Sequence, residues 1–198
     1  MVVNPKVSTR RRIQPVGQRI GLYLAALIHS ALILPVSATA YLHSPLGPLA
    51  LTGTDAGLSA VSFLDDDTIA ATPANALPEC LHEAHRQLHA YFRRELRDFA
   101  LTYAPTFGTD FQQQVWKTLS RIGYGRTASY LDVARLLNNP KSVRAVGAAN
   151  GQNPLAIVWP CHRIIGADGS LTGYASGLHR KKWLLEFEQP VRQGGLFG

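Results

Sequence analysis

Pro160-Cys161-His162-Arg163 sets a thiol beside an imidazole, two groups that together can make a nucleophile. A lone cysteine between apolar runs, here Ile157-Val158-Trp159 and Ile164-Ile165, is more often a small buried hydrophobe than a reactive group. The neighbouring imidazole changes that balance, because it can draw off the thiol proton and the thiolate is the form that attacks. If Ile157-Val158-Trp159 is a strand leading into the motif, adjacent side chains point to opposite sides and direct thiol-to-imidazole contact is not expected. An imidazole used as a base needs a carboxylate to orient it, and Glu188 is the candidate.

The elements around this run suggest how it is held. Leu49–Thr52 and Leu58–Phe63 are bounded by prolines, glycines and Asp65-Asp66-Asp67, the pattern of short antiparallel strands. Glu79 to Leu96 places Leu81, Ala84, Leu88, Tyr91 and Phe92 at helical spacing, so this helix is expected to cover the sheet. After a linker at 106–110, Thr109 or Asp110 can cap a helix over Phe111–Ile122. Ser129 with Asp132 forms a capping-box pattern for a second helix, Asn138-Asn139-Pro140 turns the chain, and a third helix follows Ser142. Two helices joined by a tight turn resemble a helix-turn-helix. In the last of them Ala145, Gly147 and Ala148 leave a bare surface, suited either to close approach of a nucleic-acid backbone or to tight helix packing.

Charge is unevenly divided over the 198 residues. Residues 41–105 carry four arginines against eight acids, and residues 106–188 ten basic residues against five acids, within a net charge of +7. A polyanion should therefore meet the second half, unless that half is only a solvated basic face. Two cysteines are too few for a disulfide scaffold and suit a reducing compartment. Residues 1–40 hold Arg10-Arg11-Arg12, an apolar stretch from Ile20 to Val36, and the small-x-small run Ala38-Thr39-Ala40. They read either as an export signal cleaved near Tyr41 or as an extension, and the extension is preferred because export would expose a reactive thiol to oxidation. No membrane association is expected.

The motif, taken with Phe111-Gln-Gln-Gln-Val-Trp116, Thr127-Ala-Ser-Tyr130, Arg144-Ala-Val-Gly147, Asn153-Pro154, Gly173-Tyr-Ala-Ser-Gly-Leu178, Trp183-Leu-Leu185 and Glu188, resembles the O6-alkylguanine-DNA alkyltransferases of the bacterial Ogt type. The likeness is dense over about residues 109–188 and looser over 41–105, through Ser44-Pro-Leu-Gly-Pro48 and the Tyr91-Phe92 helix.

That resemblance implies an α/β (α+β) protein: a small RNase H-like sheet domain over 41–105, a mainly helical DNA-binding and acceptor domain over 106–188, and a flexible tail over 189–198. It implies a single-turnover transfer of the alkyl group of O6-alkylguanine, and of O4-alkylthymine, to Cys161. His162 would act through a water with Glu188 behind it, Asn153 would hold the loop, and Tyr174 would donate a hydrogen bond as the base leaves. Arg144 would fill the place of the extruded nucleotide and Tyr130 would turn the phosphate, with Ala145 and Gly147 admitting the groove. Trp159, Ile164, Ala175 and Ser176 would form the base pocket. The implied partner is double-stranded DNA containing O6-alkylguanine, bound by a cytoplasmic monomer with no cofactor. A damage sensor that binds without transfer and a thiol hydrolase are the alternatives. Trp159 is bulkier than the aliphatic residue expected there and could equally pack in the core. Arg163 is given no chemical role, and Lys181 and Lys182 are expected to be solvated. Cys80, His82, His85 and His89 lack the spacing of a strong zinc site, so no metal is expected.

Overall fold

The structure, a computed structural model, describes residues 36–190. The arginine run and most of the apolar stretch of the leader, together with the tail beyond Pro190, lie outside the described residues.

Three antiparallel strands, β1 (Ala38–Ser44), β2 (Gly47–Thr54) and β3 (Gly57–Phe63), form a sheet in sequence order. Leu49, Leu51, Leu58 and Val61 turn inward beneath Leu81, Leu88 and Tyr91, all at most 3% exposed. The β2–β3 turn requires Gly57: at φ +135° a Cβ there would stand 2.6 Å from the carbonyl oxygen of Thr102. β1 was not expected from the sequence. It contains Ala38-Thr39-Ala40, paired to Gly53, Thr52 and Leu51, so the small-x-small run is an ordered strand and cleavage at Tyr41 would divide it.

The outer edge of β3 is not left open. Leu58 bonds to the segment around Tyr103, and further along, Val61 donates to the carbonyl of Pro154 and accepts from Ala156, at 2.9 and 3.0 Å. Sheet edges left unpaired invite other strands; here the edge is used to anchor the stretch that leads into Cys161.

The helix over the sheet, α1 (His82–Phe92), is shorter than the expected Glu79–Leu96, because Glu79–Leu81 forms a 3-10 turn and Arg94 ends the helix in a left-handed conformation. In the second half, α2 (Asp110–Leu119) starts on a Thr109 capping box with Gln112 and stops three residues before Ile122, which lies in a turn. Next come β4 (Ala128–Ser129), α3 (Tyr130–Leu136), α4 (Val143–Gly151), β5 (Ile164–Ile165) and α5 (Leu178–Phe187). Ser129 caps α3 reciprocally with Asp132. Asn138, at φ 55°, closes α3 in the left-handed region that asparagine tolerates. The parallel pairing of β4 with β5 ties the start of the helix pair to the residues just after the cysteine.

Ile157-Val158-Trp159 is not a strand. It is a buried turn in which Val158 and Trp159 donate back to Ala156 and Leu155, and Ile157 takes φ 70°. A β-branched residue there is strained, and such strain persists only where the surroundings enforce it.

Candidate active site

Cys161 opens a 3-10 turn, Cys161–Arg163, rather than lying on an extended segment. The turn removes the simple opposite-sides argument, yet no hydrogen bond joins the side chains of Cys161 and His162 among the described residues. The strained turn before it is held by Asn153. The Nδ2 of that residue donates to the Trp159 carbonyl at 2.7 Å and to the Cys161 Sγ at 3.0 Å, while its Oδ1 accepts from the Leu155 amide at 3.1 Å. Asn150, on the buried face of α4, adds a bond from Nδ2 to the Cys161 carbonyl at 3.5 Å. Asn150 was not anticipated; its place three residues before Asn153 was the available signal.

Cys161 is only 6% exposed. Burial raises its thiol pKa, opposed by the Asn153 hydrogen bond, the charge of Lys181 and the amides of the turn. The resting group is therefore a thiol, and attack requires a base.

His162 is fully buried and its Nε2 lies 3.0 Å from Glu188 Oε1. Glu188 also accepts from the Tyr91 hydroxyl at 2.8 Å, from Arg163 at 2.8 and 2.9 Å, and from the Gly125 amide at 3.2 Å. Burial pushes its pKa up, but the hydrogen bonds and charges of His162 and Arg163 outweigh burial and hold the carboxyl well below the usual range. An ionised carboxylate only accepts, so the proton of a neutral imidazole sits on Nε2 and the Nδ1 lone pair is free. Burial lowers the His162 pKa, which keeps it neutral, and its Nδ1 is buried with no hydrogen-bond partner. Arg163 is an ion-pair partner of Glu188 that also donates to the Ile122 carbonyl. Tyr91, on the helix over the sheet, was missed as a member of this network because its spacing marks it only as core.

A cleft of about 20 Å³ meets the thiol, lined by Asn153, Gly173, Tyr174, Ala175 and Ser176. That is room for about a single water. The Tyr174 hydroxyl is buried without a partner. Burial, and then the charge of a Cys161 thiolate, push its pKa well above the ordinary value, so it stays a phenol with a proton to donate. Trp159 and Ile164, expected in the pocket, do not line it. Trp159 stacks on Trp116 at 5.8 Å and packs on Tyr103 at 5.4 Å, and Ile164 pairs with Ala128 in the core. Lys181, expected in solvent, is completely buried and donates from Nζ to the Thr172 carbonyl at 2.6 Å. The Thr172 hydroxyl in turn donates to Tyr130 Oη at 3.1 Å, joining the loop before Tyr174 to the helix pair.

On α4, Arg144, Ala145 and Ala148 are exposed, Gly147 is half-buried, and Val146, Ala149 and Asn150 face inward. The helix thus offers one long cation on an otherwise low, smooth face. Among the described residues, no group of three His, Cys, Asp or Glu is placed to hold a metal, and no helix is long and apolar enough to cross a membrane.

A buried thiol next to a His162–Glu188 pair, beside a helix-turn-helix with an exposed arginine on a smooth face, is the arrangement of a thiol group-transfer protein directed at nucleic acid. Residues 110–190 match the family described as 6-O-methylguanine DNA methyltransferase, DNA binding domain, and residues 38–105 match its ribonuclease-like domain. The chain belongs to the 6-O-methylguanine DNA methyltransferase family. It is 48% identical over 151 residues to the methylated-DNA--protein-cysteine methyltransferase of Methanosarcina acetivorans, covering 75% of this chain and 96% of that one. The protein of the same name from Mycobacterium leprae is 47% identical over 148 residues, 74% of this chain and 88% of its own. The crystal structure of Mycobacterium tuberculosis O6-methylguanine methyltransferase superposes with a TM-score of 0.67 at 42% identity, covering 79% of this chain and 96% of that one. Mycobacterium tuberculosis OGT in complex with DNA gives a TM-score of 0.66 at 45% identity, over 76% and 92% of the two chains.

Proposed function

We propose that this protein repairs duplex DNA by moving the alkyl group of O6-alkylguanine, and of O4-alkylthymine, onto Cys161, once per molecule. The observation that carries the reading is the relay: a protonated buried thiol, a neutral imidazole with a free Nδ1, and a carboxylate locked in its ionised form. A water between Sγ and Nδ1 takes the thiol proton on to His162, and Glu188 stabilises the resulting imidazolium. The thiolate attacks the alkyl carbon, the S–C bond forms as the C–O6 bond breaks, and the electron pair stays on the guanine. The Tyr174 hydroxyl supplies the hydrogen bond that the leaving base needs. The product is a thioether with no ready hydrolytic exit, so the protein is consumed.

The target atom is hidden in the duplex, so the nucleotide must be extruded. Arg144 fills the vacated stack, Tyr130 turns the phosphate, and Ala145 and Gly147 let α4 sit close in the groove. A cleft of about 20 Å³ is far too small for a purine, so the Gly173–Ser176 wall moves outward to admit the base. The domain division at 105/106 assigns the relay and the DNA face to the second domain. The site is complete within one chain, which supports action as a monomer. Two free cysteines support a cytoplasmic location.

Intact mass after incubation with an oligonucleotide containing O6-methylguanine tests the reading. The expected result is the gain of a single methyl on Cys161, absent in Cys161→Ala; tight binding without mass gain would assign the protein as a sensor instead. Arg144→Ala should slow transfer from duplex DNA by at least about tenfold while leaving attack on free O6-benzylguanine unchanged, since only the duplex requires extrusion. Equal losses on both substrates would remove Arg144 from that role.

A further inference from the structure

Beside Glu188, Arg94, Arg97 and Arg126 line a cleft of about 620 Å³ that Tyr124, Gly125 and Gln189 also wall. All three arginines are exposed, and among the described residues none has a carboxylate partner. Elsewhere on the surface Arg86, Arg93 and Arg135 each pair with a neighbouring acid. The one acid in the wall, Glu188, already accepts from Tyr91, Gly125, His162 and Arg163 and is matched in charge by Arg163. The cleft therefore carries uncompensated positive charge.

Two of the guanidinium groups are held in place. Arg94 lies over the Phe187 ring at 4.4 Å and reaches the Gln189 carbonyl at 3.5 Å, and Arg97 lies over Tyr124 at 5.6 Å. Stacking fixes the plane of a guanidinium and leaves its edge N–H groups for an oxyanion. The backbone adds an independent observation. Arg94 sits at φ 62° where α1 ends, with its amide donating to Tyr91 and that of Glu95 to Ala90, a pair of bonds that usually closes on glycine. A side chain in that conformation is strained, so helix termination alone gives no reason for an arginine there.

We propose that this cleft binds the phosphate oxyanions of a small polyphosphate, with forked contacts from Arg94 and Arg97 and a third charge from Arg126. The site is separate from the alkyl-acceptor cleft, and the proposal does not depend on alkyl transfer.

Calorimetric titration of the full, unreacted chain without DNA tests it, using inorganic pyrophosphate in one arm and a nucleoside triphosphate in the other at ionic strength fixed with sodium chloride. Saturable binding is expected, weakened at least about tenfold in Arg94→Gly and in Arg97→Gln. Arg121→Gln, at an exposed arginine outside the cleft, should bind as the parent does. Arg94→Gly relaxes the backbone where it acts, so it keeps the fold. Equal affinity in the two arms assigns recognition to two phosphates alone, and tighter triphosphate binding adds the third phosphate or the nucleoside; either supports the site. Absence of saturable binding in both arms, or equal weakening by Arg121→Gln, overturns the proposal. So does loss of duplex affinity in Arg97→Gln without any pyrophosphate binding, which would make the cleft a DNA-backbone contact.

Discussion

Glu188→Gln preserves shape and removes charge at a carboxylate surrounded only by donors. In its better orientation the amide oxygen takes the Oε1 position, which keeps the bonds from Tyr91, His162 and one arm of Arg163. Its NH2 then faces the Arg163 Nε and the Gly125 amide, so both of those bonds are lost. Arg163, 4% exposed, is left without a counter-charge. Breaking a buried pair on one side costs about 3–5 kcal/mol. Total stabilities are about 5–15 kcal/mol, so the variant should fold but unfold at a much lower urea concentration. With no carboxylate to stabilise the imidazolium, transfer should slow by about 10²–10⁴-fold. Adding Arg163→Met should recover stability without recovering transfer, because it removes the stranded charge and restores nothing to His162. The pH dependence has two windows of the same sign. Burial holds the His162 pKa below 6.5, so stability falls as pH drops from 6.5 and the unfolded chain takes up the proton first. The Glu188 contribution is complete above pH 4.5 and is lost only as pH falls through its depressed folded value. Glu188→Gln should remove the lower window and deepen the upper one, because Glu188 is what raises the His162 pKa against burial. An unfolding free energy from urea melts within about 1 kcal/mol of the parent, or transfer restored by the double variant, would refute this account.

Tyr174→Phe should slow transfer by about 10²-fold while leaving stability equal or up to about 1 kcal/mol higher, because the deleted hydroxyl is buried without a partner; single-turnover rates and urea melts read the two effects. Lys181→Met should raise the Cys161 pKa and shift iodoacetamide labelling to higher pH, since Lys181 favours the thiolate; a shift to lower pH would contradict the assigned electrostatics. Trp159→Ala should cost about 3–5 kcal/mol through loss of its packing on Trp116 and Tyr103, with the transfer rate per folded molecule nearly unchanged. A rate loss at full stability would return Trp159 to the pocket.

The sequence exposed those parts of the structure that local chemistry dictates. The Ser129–Asp132 capping box was readable, and Thr109 was one of two candidate caps, because a cap needs particular side chains at fixed spacing; the reciprocal Gln112 partner of Thr109 was not foreseen. Strand β1 was hidden because Ala38-Thr39-Ala40 satisfies a processing pattern as well as a strand, and only pairing with β2 decides between them. The turn at Ile157–Trp159 has the composition of a buried strand; what bends it is Asn153, a few residues upstream, whose side-chain amide reaches the Trp159 carbonyl, a contact that apolar composition does not reveal. Lys181 was misjudged for a related reason: adjacent lysines usually mark a wet face, but the Thr172 carbonyl reached by its Nζ is contributed by a loop. Within the site, the motif revealed the thiol and its imidazole, whereas Tyr91 could be recognised only from its partner and Asn150 only through its spacing from Asn153.

The Tyr91–Glu188 hydrogen bond spans 97 positions of the chain and carries the sheet half of the molecule into the chemistry of the other half. It gives the protein a form of self-inspection. A molecule whose sheet has opened loses one of the donors to the carboxylate that meets the imidazole. Loosening of the sheet half should therefore weaken the hold on the His162 partner even though Arg163 and Gly125 stay in place, so the state of the sheet is felt at the imidazole beside the thiol.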